Sequence, residues 1–169
     1  MNKCIFLDRD GVLNKDRVDY VYSEKYLEIL PGVKESLLSL KKAGYLLIVI
    51  TNQSGIAKGI YTEADMHHVH KLMQEDWEGC INDFYFAPWH PSVSESLTRK
   101  PDSLMFEKAI AKYKVDINSS WMIGDKNRDL VPAKKLGIKT IQVDNQDSEV
   151  ADYKVSSLPN ALDIILGVA

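Results

Sequence analysis

The segment Cys4-Ile5-Phe6-Leu7-Asp8-Arg9-Asp10-Gly11-Val12-Leu13 sets an apolar strand directly against two carboxylates. Strand side chains alternate between faces, so alternation carried on to residue 10 would project Asp8 and Asp10 to the same side. They would meet where the strand ends, at the edge where open α/β sheets hold their ligands. Two crowded carboxylates repel, which favours a bound cation or a proton kept on one of them. Both outcomes suit phosphoryl transfer: one Asp attacks, the other shuttles a proton, and a metal neutralises charge. The plain alternative is a strand end with two solvated acids, so the rest of the chain must decide.

Outward from this segment, apolar runs and helical spacings alternate. The polar, aromatic-spotted stretch through Glu28 reads as a loop or small flap. Pro31-Gly32 opens an amphipathic helix in which Val33, Leu37, Leu38 and Leu40 face inward, ending near Gly44. Tyr45 to Ile50 is a near-continuous apolar run, as expected for a parallel strand covered on both faces. Thr62-Glu63-Ala64-Asp65 caps a second helix that continues toward Trp77. Ile81 to Ala87 reads as a strand, and Pro88 to Pro101 as an irregular segment. Leu104, Phe106, Ile110 and Tyr113 mark a third helix. Trp121-Met122-Ile123 is a short strand ended by Gly124-Asp125. A helix follows to Leu136-Gly137, tolerating Pro132 if that residue lies near its first turn. Ile138 to Val143 and Tyr153 to Val155 read as strands, and Leu158 to Leu166 as a closing helix. This rhythm predicts an α/β fold, a three-layer α/β/α sandwich around a central parallel sheet. With no internal repeat or linker, residues 1–169 are expected to form a single domain without a cap.

The 169 residues are 45% apolar and 27% charged with a net charge of −3, which is ordinary globular usage. So mild an acidity gives nucleic acid or an acidic membrane no general footing, though it leaves room for a local anion pocket. Cys4 falls inside the first strand and Cys80 lies far from it, so buried thiols are expected rather than a disulfide or a metal site. Nothing resembles a signal peptide, and no stretch approaches the roughly 20 apolar residues that span a bilayer. The expectation is a cytoplasmic monomer acting on a small phosphorylated molecule, with no nucleic-acid or membrane partner.

Four sites converge on one rim of the predicted sheet. Strand ends carry Asp8 and Asp10, then Thr51, then Gly124-Asp125, and Lys100 lies in the loop before the helix that precedes the last of these. The Thr51 hydroxyl and the backbone N–H groups from Asn52 onward can donate to phosphate oxygens. Lys100 would balance phosphate charge and lower the attacking carboxylate's pKa. Asp125 adds a third carboxylate, giving the hard oxygen surroundings that Mg²⁺ prefers. Asp129, one turn on, could hold Lys100 or a metal-bound water. Each alone has an ordinary explanation, Thr51 and Asp129 as helix caps and Lys100 as a solvated charge. Chance would not put all of them at consecutive strand ends in this order.

With these residues the chain resembles the haloacid dehalogenase superfamily of phosphatases. The matches are Asp8-Arg9-Asp10-Gly11-Val12, Thr51, Lys100 and Gly124-Asp125 with Asp129. The block Val49-Ile50-Thr51-Asn52-Gln53-Ser54-Gly55-Ile56-Ala57, with Arg99-Lys100-Pro101 and Ile123-Gly124-Asp125-Lys126, resembles the capless branch that includes heptose bisphosphate and histidinol-phosphate phosphatases. The resemblance implies that Asp8 is the nucleophile and Asp10 the general acid and base. It implies Mg²⁺ held by Asp8, Asp125 and the main-chain carbonyl of Asp10, and a phosphoryl group steadied by Thr51 and Lys100. Arg99 and Lys126 would contact substrate, with Asn52, Gln53 and Ser54 beside them and Asp16 to Asp19 helping to select it.

One departure stands out. Members of this branch carry a zinc loop of three Cys and one His, but the corresponding positions here read Ala87, Trp89, Ser96 and Thr98. These lack the sulfur and nitrogen donors of a tetrahedral zinc site, so no structural zinc is expected, with Trp89 and the prolines stiffening the loop by packing. His90 reads as a surface residue. His67, His68 and His70 share the second helix and read as packing or surface residues rather than metal ligands. The resulting expectation is a Mg²⁺-dependent phosphatase that removes the 7-phosphate of a heptose 1,7-bisphosphate. Histidinol phosphate is the alternative substrate, and a catalytically silent binding protein the alternative class.

Overall fold

Alternation along each central strand feeds two separate apolar layers. In β1 (Cys4–Leu7), Ile5 and Leu7 join one cluster, whereas Cys4 and Phe6 join the other. The computed structural model describes residues 1–144 and 148–167. β2 (Leu46–Asn52), β3 (Asp83–Ala87), β4 (Trp121–Gly124), β5 (Lys139–Val143) and β6 (Tyr153–Val155) complete the sheet. All neighbours pair in parallel, in the spatial order β3-β2-β1-β4-β5-β6. On one face lie α1 (Val33–Lys42), α2 (Glu63–Asp76) and α5 (Leu158–Leu166), through Leu37, Leu40, Val69, Met73, Leu158 and Ala161. On the other lie α3 (Leu104–Tyr113) and α4 (Asn127–Lys135), through Met105, Phe106, Ala109, Leu130 and Ala133. This is the expected three-layer sandwich, and no cap interrupts it among the described residues.

Local chemistry sets the helix starts. Thr62 and Asp65 form a reciprocal capping box, the Asp65 N–H donating to Thr62 Oγ1 at 3.1 Å and the Thr62 N–H to Asp65 Oδ2 at 2.8 Å. Two expectations need correction. Leu38 is only partly buried, and the inward position falls to Ser36, whose hydroxyl donates to the Gly32 carbonyl at 2.6 Å. Pro132 lies deeper in α4 than its first turn. The donor it lacks would have served the carbonyl of Arg128, an exposed residue whose oxygen water can satisfy.

Because every strand runs the same way, all C-terminal ends share one rim. β1 and β4 are adjacent although two strands separate them in sequence, so the strand order reverses between them. In open α/β sheets the crevice at such a reversal takes the ligand, here just beyond Leu7 and Gly124.

Candidate active site

Asp8 follows β1 directly, its N–H donating to the Ile123 carbonyl of β4 at 3.0 Å. Asp125 follows β4. Carboxylate oxygens of Asp8, Asp125 and Asp129 lie within 4.8 Å of one another, and all three residues are buried. Two glycines make this approach possible. Gly11 has φ +92° and a Cβ there would collide with the Asp125 carboxylate, while a Cβ on Gly124 would overlap the Asp129 side chain.

One buried cation stands against these three acids. Lys100 Nζ donates to Asp8 Oδ1 at 2.8 Å and to the Ile50 carbonyl at 2.7 Å, and forms an ion pair with Asp129 Oδ1 at 2.7 Å. Its backbone is pinned as well. Asn52 accepts from the Lys100 N–H and donates to the Lys100 carbonyl, both at 3.0 Å. Burial pulls the Lys100 pKa down, but the charges of Asp129 and Asp8 outweigh it and leave the ammonium protonated. Asp129 also caps α4, accepting from the Lys126 N–H at 3.1 Å, so the cap role and the ion-pair role coexist.

The remaining acids are frustrated. Burial, and then Asp129, push Asp8 up to about 6 despite Lys100. Burial, with Asp8 and Asp129, pushes Asp125 up to about 7, against Lys126. Lys126 Nζ reaches Asp125 Oδ2 at 3.2 Å, whereas Asp125 Oδ1 is buried without a hydrogen-bond partner. An orphaned carboxylate oxygen beside a second buried carboxylate is what a hard cation relieves, so these residues fit Mg²⁺.

Asp10 is arranged differently from the strand-alternation reading. β1 ends at Leu7, and the chain then turns, with the Leu13 N–H donating to the Arg9 carbonyl at 2.8 Å. Both Asp10 oxygens are engaged: Oδ1 by Arg9 Nη2 at 2.9 Å and Asn14 Nδ2 at 2.9 Å, Oδ2 by Arg9 Nε at 3.1 Å and Gln53 Nε2 at 3.1 Å. Burial raises its pKa, but the Arg9 charge and these donors prevail and hold it below the usual carboxylate range. Its side chain is therefore committed to a donor network instead of the three-acid cluster. Thr51 is buried at the end of β2 and accepts from Gln53 Nε2 at 2.9 Å.

A cleft of about 70 Å³ opens beside this centre, between Asp10, Asp16, Tyr20, Asn52, Gln53 and Arg128. A hollow of about 580 Å³ behind Gly11, at the starts of α1 and α5, takes in none of Asp8, Asp10, Lys100 or Asp125 and cannot house their chemistry. Asp16 bridges the flap to the site, 2.6 Å from Lys126 Nζ. Asp19 is instead exposed and paired with Arg17 at 2.8 Å, outside the residues lining the cleft. Ser54 sits in the turn after β2, and the Tyr20 hydroxyl accepts from Lys58 Nζ at 3.0 Å. Arg99 donates to the Trp89 carbonyl at 3.0 Å and feels the charge of Arg128.

Trp89 departs from expectation: it is 43% exposed and does not stiffen its loop by burial. Hydrogen bonds do that work, including one of 2.8 Å between Ser96 Oγ and Thr98 Oγ1. Sequence reasoning passed over Arg128, Tyr61 and the frame around Arg9. Arg9 is 1% exposed and donates to the Val21 carbonyl at 3.0 Å, with His70 Nε2 3.4 Å from its Nη1. His70 itself stacks on Phe84 at 4.4 Å, a packing residue as expected. Its adjacency to Asp10 could have flagged Arg9; nothing local marks Tyr61.

Comparison with known proteins matches this geometry. A HAD-hydrolase-like family model covers residues 97–163. A D-glycero-beta-D-manno-heptose-1,7-bisphosphate 7-phosphatase from Haemophilus ducreyi is 37% identical over 147 residues, covering 82% of this chain and 80% of its own. Its counterpart from Haemophilus influenzae is 37% identical and covers 94% of both chains. The chain belongs to the heptose-1,7-bisphosphate 7-phosphatase family of HAD-like hydrolases. A crystal structure of a family member from B. bronchiseptica, D,D-heptose 1,7-bisphosphate phosphatase complexed with magnesium and phosphate, superposes with a TM-score of 0.89 at 27% identity, covering 99% of each chain.

Proposed function

We propose that this chain is a Mg²⁺-dependent phosphatase that removes the 7-phosphate of D-glycero-D-manno-heptose 1,7-bisphosphate through an aspartyl-phosphate. The observation that carries this reading is the Asp8 carboxylate, anchored at Oδ1 by Lys100 and with no protein hydrogen bond to Oδ2 among the described residues. Asp8 attacks phosphorus and the bond to the sugar oxygen breaks, with Asp10 giving that oxygen a proton. Asp10 then takes a proton from water, which attacks the same phosphorus and frees Asp8 and inorganic phosphate. The donors around Asp10 favour its ionised form, which the second step needs; an arriving phosphate dianion raises its pKa for the first. Asp8, Asp125 and the main-chain carbonyl of Asp10 would hold Mg²⁺, which supplies charge neutralisation at the phosphoryl oxygens. Thr51 and Lys100 complement that charge, and Lys126 and Arg99 face the remainder of the substrate.

The same proposal has residues 1–169 acting as a single-domain monomer in the cytoplasm. Both cysteines are free and buried. Among the described residues no helix is long and apolar enough to cross a membrane.

Phosphate release from heptose 1,7-bisphosphate and from histidinol phosphate, measured side by side with Mg²⁺, tests the reading. The bisphosphate should show the higher kcat/KM and leave a heptose monophosphate. Preference for histidinol phosphate would replace the substrate. No turnover of any phosphomonoester by folded protein would establish the silent binding protein instead.

A further inference from the structure

Gln53 is 1% exposed, and its amide touches both groups that manage the phosphoryl transfer. Nε2 donates to Thr51 Oγ1 at 2.9 Å and to Asp10 Oδ2 at 3.1 Å. Oε1 accepts from the Tyr61 hydroxyl at 2.7 Å. An amide turned the other way would set Oε1 against the Asp10 carboxylate, oxygen against oxygen, and Nε2 against a phenol that is already a donor. One orientation therefore satisfies every partner, and Tyr61 fixes its far end. Tyr61 is well placed to remain a donor. It is 5% exposed, stacks on Tyr22 at 5.3 Å between ring centroids, and has its phenol pKa raised by burial.

This orientation has a consequence for Thr51. Its oxygen already accepts a hydrogen from Gln53, and among the described residues no acceptor takes the hydroxyl's own hydrogen. That hydrogen is left to point into the site. We propose that Tyr61, acting through the Gln53 amide, sets the hydroxyl polarity of Thr51 so that Thr51 donates to the transferring phosphoryl group. Tyr61 and Gln53 are positioning residues, and the inference rests on the phosphatase reading above. Without the Tyr61 hydroxyl the amide loses the partner at its far end, and its hold on the Thr51 oxygen is left to Asp10 alone.

A double-mutant cycle on kcat/KM separates this role from simple packing. Tyr61→Phe keeps the ring and its stacking and removes only the hydroxyl. It should lower kcat/KM about tenfold, mostly in kcat, as loss of one hydrogen bond in a buried network does. Thr51→Val should cost at least about a hundredfold, the range for a lost oxyanion donor. Tyr61→Phe should then add less than about twofold in the Thr51→Val background, yet keep its full effect in Thr51→Ser. Gln53→Met removes the bridge at similar length together with a donor to Asp10, so it should cost more than Tyr61→Phe, with only the excess persisting on Thr51→Val, and it covers the case in which Tyr61→Phe fails to fold. An unchanged kcat/KM in Tyr61→Phe, or a full tenfold loss persisting on Thr51→Val, overturns the inference while leaving the phosphatase reading intact. A wild-type protein with no phosphatase activity overturns both.

Discussion

Removing the metal should give this protein a pH-dependent stability whose sign the site dictates. Asp8 and Asp125 are pushed up to about 6 and about 7. A carboxylate whose folded pKa exceeds its unfolded value contributes stability that is present below the unfolded pKa, near 4, and lost as pH rises through the folded one. At about 1.4 kcal/mol per pKa unit, Asp8 accounts for about 3 kcal/mol and Asp125 for about 4, and their interaction keeps the joint cost below simple addition. A divalent ion between them needs both ionised, so its apparent affinity should rise by about a hundredfold to a thousandfold from about pH 5 to about pH 7.5. His70 works in the opposite sense. Burial first, then Arg9 and His67, push it down to about 3, so stability falls as pH drops below its unfolded value. That loss is the same with or without metal, and the difference between melting curves in Mg²⁺ and in chelator cancels it. The difference should grow from near zero at about pH 5 to roughly 6–16 °C at about pH 7.5, at 2–4 °C per kcal/mol for a chain of this size. Thermal unfolding followed by circular dichroism at matched ionic strength measures it. A Mg²⁺-induced shift as large at the acid end as at the neutral end would show that these carboxylates are not where the ion binds.

Asp8→Asn should abolish phosphate release, because an amide is a poor nucleophile, while raising the melting temperature of metal-free protein near neutral pH; substantial residual turnover contradicts the nucleophile assignment. Lys100→Met leaves three buried acids without their cation and should cost about 3–5 kcal/mol in denaturant unfolding near neutral pH, together with activity, and an unchanged midpoint would count against the ion-pair account. Gly11→Ala forces a side chain onto a residue at φ +92° and against Asp125, so Mg²⁺ titration should show affinity weakened by about tenfold or more. Wild-type metal affinity in that variant would mean that the Gly11–Asp125 approach does not shape the site.

Which parts of this arrangement could be read from the chain follows from the range of the forces that fix them. The Tyr45–Ile50 run, the Thr62–Asp65 box and the glycine and proline breaks act within a few residues, and each lies where local chemistry put it. The placement of Asp8, Thr51 and Asp125 was legible for the same reason, since parallel strands must end on one rim. What a charge faces is another matter. Asp10 turns away from the three-acid cluster because Asn14 and Gln53 offer it donors, and its alternation with Asp8 ceases to govern once β1 stops at Leu7. Lys100 lies in a proline-rich polar loop and carries no local mark of burial, yet it is 1% exposed and pairs with a carboxylate 92 residues away. Taking that ammonium out of water would be prohibitive for any one neighbour to offset, and only two carboxylates and a carbonyl, brought together by two separate strands and a helix, make it stable. The same convergence explains why Trp89 could be exposed without loss: its loop needs only to deliver Lys100, and the two hydrogen bonds exchanged with Asn52 do so without a core of their own.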